Sequence, residues 1–435
     1  MKNDEKKGWI ERVIKLAYVR PEEWRGLIWS FAYFFSLLTS YYIIRPMREE
    51  MGIAGGVEKL QWMFSGTFLA MLVCVPAFGW IARRFPIRRF MPYVYYFFIL
   101  NLLIFFILFK SSFSHVIAAR AFFIWTSVFN LFIVSVFWSF MTDVYNNERA
   151  GRLFGLIAAG GSIGAVAGPA ITAFLVLRIG TSNMLLISIA FLGFAVLCIH
   201  RIIAWRQKEG GSSSPASSER GMGGGVLAGI ELVFKSPYLL GICIFMLLYT
   251  TLSTFLYFQQ AYIIRANFSD PAKRTALFAG IDFSVNMLTL LFQFIFTSRI
   301  IKLFGVSIAL AAVPVLVVAG FLTMGFVPVL AILIVFQVLR RAGDYSVTRP
   351  AREMLFVVLS REEKYKAKNF IDTVIYRAGD AFSAWVYTAL QGAGLAIKGI
   401  SMVGVVLALF WAIISFRLGS RQEKLATSVQ AGQKP

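Results

Sequence analysis

Twelve continuous apolar runs recur along the chain, at about 26–45, 60–82, 91–109, 116–142, 153–177, 183–200, 237–264, 276–298, 303–325, 327–345, 367–391 and 399–416. Each is close to the ~20 residues that an α-helix needs to cross the hydrocarbon core of a bilayer. The runs are unbroken rather than alternating, which predicts spanning helices and excludes a membrane β-barrel. The intervals between them are short, with one exception. Residues 207–225, QKEGGSSSPASSERGMGGG, are rich in Ser and Gly and read as a flexible linker. Six runs precede it and six follow. The expected organisation is therefore an N-terminal six-helix bundle over 1–205, a cytoplasmic linker over 206–236 and a C-terminal six-helix bundle over 237–435.

The two halves carry matching signals. Tyr42-Ile43-Ile44-Arg45 closes the first run and Tyr262-Ile263-Ile264-Arg265 closes the seventh. Arg83 follows the second run as Arg299 follows the eighth, and Ala150-Gly151-Arg152-Leu153-Phe154 parallels Lys366-Ala367-Lys368-Asn369-Phe370. Three matches in register around a central linker predict a duplicated unit. An all-α membrane protein of twelve helices in two pseudo-symmetric six-helix bundles resembles the major-facilitator plan, which implies a solute site near the midplane.

Composition agrees with this picture. Of the 435 residues, 58% are hydrophobic and 15% charged, against about 25% charged in soluble proteins. The formal net charge of +21 could suggest nucleic-acid binding, but its distribution argues for topology. With the N-terminus in the cytoplasm, 32 of the 43 Lys and Arg residues fall in cytoplasmic intervals and 9 on the opposite face; Arg120 and Arg377 lie within runs. That asymmetry follows the positive-inside rule and puts both termini in the cytoplasm. Cys74, Cys198 and Cys243 sit in apolar runs without pairing or metal spacing. The N-terminus is too polar for a cleavable signal peptide.

Polar residues inside the runs carry the candidate chemistry, because an ionised group at the centre of a span costs about 2.5–3.5 kcal/mol on insertion scales. Asp282, Asn286 and Gln293 share one face of the eighth run. Asp380, Ser383, Tyr387 and Gln391 form a stripe on the eleventh, with Arg377 one turn earlier, and Tyr249, Ser253, Tyr257 and Gln260 form another on the seventh. Arg45, Arg48 and Glu49 close the first run, where Arg45 and Glu49 are spaced for an i,i+4 pair if the helix continues through Pro46. In the fifth run, Gly155, Gly164, Gly168 and Pro169 are spaced as in the antiporter motif of the major facilitators. The simpler reading of that spacing is close helix packing.

Three stretches resemble the ATP/ADP translocases of plastids and intracellular bacteria and their bacterial relatives. They are YYIIRPMREEMG (41–52), FWSFMTDVYNNERAGRLFGLIAAGGSIG (137–164) and RRAGDYSVTRPAREMLFVVLSREEKYKAKNFIDTVIYRAGDAFSAW (340–385). The resemblance implies a twelve-span nucleotide exchanger. It matches Arg48-Glu49 to the family's basic–acidic step, Glu148-Arg149 to the cluster ahead of Phe154-Gly155, Arg352-Glu353 to the step after proline, and Lys366, Lys368 and Asp372 to a Lys-x-Lys-x-x-x-Asp run. Arg349 stands where the family has an acid before Pro350, and Arg377 with Asp380 marks a variant motif. These departures extend the expected cargo to related phosphorylated anions.

The expected substrate-binding set is thus Arg45, Arg48, Glu49, Arg265, Asp282, Asn286, Arg377 and Asp380. The expected cytoplasmic gate is Glu148, Arg149, Arg152, Arg349, Arg352, Glu353, Lys366, Lys368 and Asp372. Guanidinium forks bind phosphate oxygens bidentately, so a small anionic solute is the expected partner, in a monomeric protein of a bacterial inner membrane. No Gly-Lys dipeptide occurs, so no Walker A loop is possible and a nucleotide would be cargo. No catalytic triad, metal spacing or dinucleotide fingerprint appears, and neither a cofactor nor an enzymatic reaction is expected. Two other readings fit the sequence: a proton-coupled transporter using Asp282 and Asp380 as titrating groups, and a transporter-shaped receptor.

Overall fold

The computed structural model describes residues 19–84, 87–208, 232–233, 235–295 and 297–430. Most of the expected linker, and the polar stretch at the N-terminus, lie outside them. Every regular element among the described residues is helical.

A 3-10 turn, Pro21–Glu23, leads into α1, Trp24–Ala54. It is followed by α2 (Leu60–Arg84), α3 (Ile87–Lys110), α4 (His115–Val144), α5 (Asn147–Ile179) and α6 (Met184–Lys208). The second series is α7 (Pro237–Asn267), α8 (Pro271–Ile295), α9 (Thr297–Phe326), α10, α11 and α12 (Ile397–Gln430). Two of these are composite. Helix α10 runs from Leu330–Gly343 through a π-helical turn at Asp344–Thr348 into Arg349–Leu355. Helix α11 runs from Arg361–Phe370 through a second π turn at Ile371–Ile375 into Tyr376–Gly392.

These twelve stretches follow the twelve expected runs. Ten of them, all but α10 and α11, are long and apolar enough to cross a membrane. The two exceptions carry the π turns and the densest charge. The tenth run was expected to end near 345 in a polar loop, whereas the chain stays helical as far as Leu355. Arg349 and Arg352 are therefore helix residues, although they lie beyond the expected end of the run.

Packing divides the chain into two compact units, one of Met1–Met51, Ala70–Ser218 and Thr275–Phe283, the other of Gly52–Leu69, Glu219–Arg274 and Ser284–Pro435. The first is centred on aromatic contacts: Phe34 stacks on Phe137 at 4.0 Å and Trp125 on Phe129 at 5.0 Å, with Tyr33 and Tyr95 fully buried. The second buries Phe245, Phe255, Phe258, Tyr387 and Trp411. Large apolar side chains such as Leu69, Val73, Tyr93, Phe97, Phe174 and Leu177 are exposed, as expected of helices whose outer faces meet acyl chains rather than water.

Small residues let helices approach closely in both units. In α5, Gly160, Gly164 and Gly168 face α1, where an added Cβ would run into Phe31, Phe35 and Tyr42 respectively. Helix α9 breaks at Gly305, whose φ of 77° is favourable only for glycine. The break frees the backbone N–H of Ser307, which donates to Glu423 Oε1 on α12 at 3.0 Å, while the Ser307 hydroxyl donates to the same oxygen at 3.1 Å. A carboxylate on one helix thus caps the restart of another.

Candidate functional site

In the first unit the chemistry is concentrated on the last third of α1. That helix is fixed by its neighbours. Thr172 on α5 donates to the carbonyl of Ile43 at 3.2 Å, and Ser188 on α6 donates to the carbonyl of Ser40 at 3.1 Å. A Cβ on Gly168 would stand 2.6 Å from Tyr42 Cβ and 2.8 Å from the Thr39 carbonyl oxygen, one turn before Arg45. Gly168→Val is expected to destabilise the fold by about 1–3 kcal/mol through overpacking. Thermal unfolding of the purified variant measures this, and an unchanged midpoint would refute the close packing.

So positioned, Arg45 places its guanidinium 3.3 Å from Asp282 of α8 and above the ring of Tyr42. Asp282 is 3% exposed and Arg45 16%, so this ion pair is largely removed from water. Arg48 donates to Glu49 at 2.8 Å and to the Ser127 hydroxyl at 3.0 Å, and lies 3.9 Å from the Phe123 ring centre. Helix α1 does continue through Pro46, but Glu49 pairs with Arg48, its neighbour.

At the start of the same unit, a second network joins the turn before α1 to the first turns of α5. Glu23, fully buried, accepts from Arg152 through both oxygens at 2.9 and 3.1 Å and meets Arg149 at 3.3 Å. Glu148 pairs with Arg20 at 2.9 Å and with Arg152 at 3.8 Å. The Asn146 side chain caps α5 by accepting from the Arg149 N–H. Glu148, Arg149 and Arg152 were expected together from sequence, but Glu23, which holds the two arginines, was not. It lies in Pro21-Glu22-Glu23, where nothing in the pattern separates a buried acid from its exposed neighbour.

In the second unit, α7 and α10 face each other through three polar rungs. Gln337 donates to Gln260, Arg340 donates to the Ser253 hydroxyl at 2.8 Å, and the Tyr249 hydroxyl donates to Asp344 at 2.9 Å. The α7 side of this ladder is three members of the expected stripe. The α10 side, Gln337, Arg340 and Asp344, was missed: it falls at the charged end of the tenth run, where neighbouring charges hide any polar stripe. Asp344 also meets Arg349 at 3.2 Å, and Arg349 lies over the Tyr345 ring. Beyond the first π turn, Arg352 stands 3.4 Å from Asp372 and 3.6 Å from Glu353, which also pairs with Lys368. Lys366 lies half-buried on the same helix.

Arg377 and Asp380 sit 3.7 Å apart just after the second π turn, with Arg377 over the Tyr376 ring. Asn286 is buried on α8, one turn beyond Asp282. Arg265 is set apart from these groups. It pairs with Glu58 at 2.6 Å at the exposed end of α7, with both side chains about half-exposed. Within the units, then, three of the four expected arginines meet carboxylates that were expected with them.

The family model of the major facilitator superfamily matches residues 26–343. The chain belongs to the major facilitator superfamily. It is a multi-pass membrane transporter of that type, and no group of His, Cys, Asp or Glu among the described residues could hold a metal ion. A second model, that of the TLC ATP/ADP transporters, matches residues 320–421, the part of this facilitator that contains both π turns.

Solved facilitator structures share the fold at low identity. A bacterial homologue of the human lysosomal transporter Spinster, inward-facing and unoccupied, aligns with a TM-score of 0.57 at 13% identity, covering 94% of this chain and 99% of that one. A POT family transporter in complex with 5-aminolevulinic acid aligns with a TM-score of 0.61 at 13% identity, covering 92% and 96%. The POT family transporter PepTSo gives 0.59 at 14% identity, covering 94% and 98%. No curated protein sequence matches the chain.

Proposed function

We propose that this transporter exchanges nucleotides of the ATP/ADP type, or related phosphorylated anions, across a bacterial inner membrane by alternating access. The observation that carries the reading is the pairing of Arg45, Arg48 and Arg377 with Asp282, Glu49 and Asp380. Each of these three guanidiniums is held by an internal carboxylate, which an anionic cargo can displace. The match of residues 320–421 to the ATP/ADP transporter model supports the same cargo. Arg265 and Asn286 complete the proposed substrate set. Glu148, Arg149, Arg152, Arg349, Arg352, Glu353, Lys366, Lys368 and Asp372 form the proposed gate. The halves 1–205 and 237–435 act as the moving parts about the linker 206–236, with both termini cytoplasmic and the protein monomeric.

The electrostatics explain why exchange rather than net flux is favoured. Occluding a cavity whose arginines have lost their carboxylates and found no anion leaves uncompensated charge in low dielectric, which is costly. Only loaded protein crosses over. A ligand that binds the folded state at 100 times its Kd stabilises it by about 2.7 kcal/mol. The purified protein is therefore expected to unfold at higher temperature with ATP, ADP or pyrophosphate and to ignore neutral or cationic solutes. The opposite ranking would refute the anionic cargo.

A second reading, a proton-coupled major-facilitator transporter of an unrelated solute, draws on the burial of the Asp282 carboxylate within a span. A protonophore separates the two: it abolishes proton-coupled uptake and leaves exchange intact.

A further inference from the structure

Arg340 differs from the arginines already considered. Its guanidinium donates to the Ser253 hydroxyl at 2.8 Å and to Gln337 Oε1 at 3.2 Å. Both partners are neutral. No carboxylate lies within 4 Å of it among the described residues, and its Nε is buried without a hydrogen-bond partner among them. The nearest acid along α10, Asp344, is committed to Tyr249 and Arg349.

The position is also unusual. Ser253 lies at the middle of the 31-residue α7, so the guanidinium is fixed at mid-helix depth in its unit. An arginine that served only as a topological anchor would extend its charge toward the membrane surface. Here the fork is instead held in place. Gln337, which accepts from it, is oriented by its own donation to Gln260. The first π turn begins at Asp344, one turn further on, and such turns recur at functional sites because they re-aim the residues around them.

A guanidinium in a span is expensive unless paired. Neutral dipoles orient it but do not cancel its charge. The missing counter-charge matches an arriving oxyanion, which the fork can take through two parallel hydrogen bonds. We propose that Arg340 is an anion-binding residue of the second unit that takes a phosphate group of the cargo, with Ser253 and the Gln337–Gln260 pair as positioning residues. That the oxyanion is a phosphate rests on the nucleotide reading; that Arg340 awaits an anion does not.

The test is equilibrium binding of ATP and of pyrophosphate to the purified full-length protein and three variants. Arg340→Gln is expected to weaken both ligands at least 10-fold. Arg340→Lys keeps the charge but loses the fork, and an intermediate loss is expected. Ser253→Asp is the decisive variant, because it supplies the missing carboxylate from inside. It is expected to abolish binding of both ligands while the unfolding temperature stays at or above that of the parent, an outcome that a folding defect cannot mimic. Undiminished binding of both ligands by Arg340→Gln and Ser253→Asp would overturn the inference and leave the nucleotide reading intact. Binding of pyrophosphate but not ATP by the parent, lost in Arg340→Gln, would uphold Arg340 and refute the nucleotide cargo. Binding of neither anion by the parent would overturn both.

Discussion

Asp282→Asn is expected to destabilise the protein by about 3–5 kcal/mol, because it leaves Arg45 in a largely desolvated position without its counter-charge. Arg45→Gln should cost a similar amount for the mirror-image reason. The double variant, Arg45→Gln with Asp282→Asn, replaces the ion pair by two neutral amides and should regain most of the lost stability. Transport separates stability from function. If Arg45 holds an anion, the double variant stays folded but loses at least about 100-fold in exchange, equivalent to about 2.7 kcal/mol of lost interaction. A double variant that is both stable and fully active would reduce the pair to a structural feature.

Glu23→Ala is the second large effect. This buried carboxylate accepts two hydrogen bonds from Arg152, lies beside Arg149 and also accepts from the Arg20 N–H at 3.0 Å. Hydrogen bonds to charged groups contribute about 1.5–3 kcal/mol each when buried. Arg149 and Arg152 remain about a quarter exposed, so water offsets part of the loss. A net destabilisation of about 2–3 kcal/mol follows. Glu148→Ala removes a carboxylate that is 64% exposed and should cost little. The two are compared by thermal unfolding, and equal effects would contradict the assigned burial of Glu23.

The helices could be read from the sequence because a membrane span needs about 20 apolar residues in a row, and that requirement writes each crossing into composition. It fails where a helix must carry charge. Helices α10 and α11 hold Arg340, Asp344, Arg349, Arg352, Asp372 and Arg377, so hydropathy takes part of each for loop, although the backbone stays helical through both π turns. Periodicity exposed the α7 stripe, since Tyr249, Ser253 and Gln260 are polar residues on an apolar helix. Their partners on α10 stand among other charges and had no such contrast.

The pairs on α1 and α11 were legible in part because Arg48 with Glu49 and Arg377 with Asp380 are close in sequence. Arg45 with Asp282 joins residues far apart in the chain, and each was visible only as an isolated cost to be explained. Glu23 was invisible because burial, not residue type, gives it its role. Gly160, Gly164 and Gly168 of α5 prove to be packing surfaces against α1, as the simpler reading held, whereas Gly155 meets nothing.

The account is tested most directly by counterflow in reconstituted vesicles. Uptake of labelled ATP is measured into vesicles preloaded with ADP and into vesicles containing none, at equal external concentration and with the membrane potential clamped. Arginines that must be matched by an anion before the protein can cross over predict rapid uptake into loaded vesicles and almost none into empty ones. Equal rates in the two would contradict obligatory exchange of a phosphorylated anion.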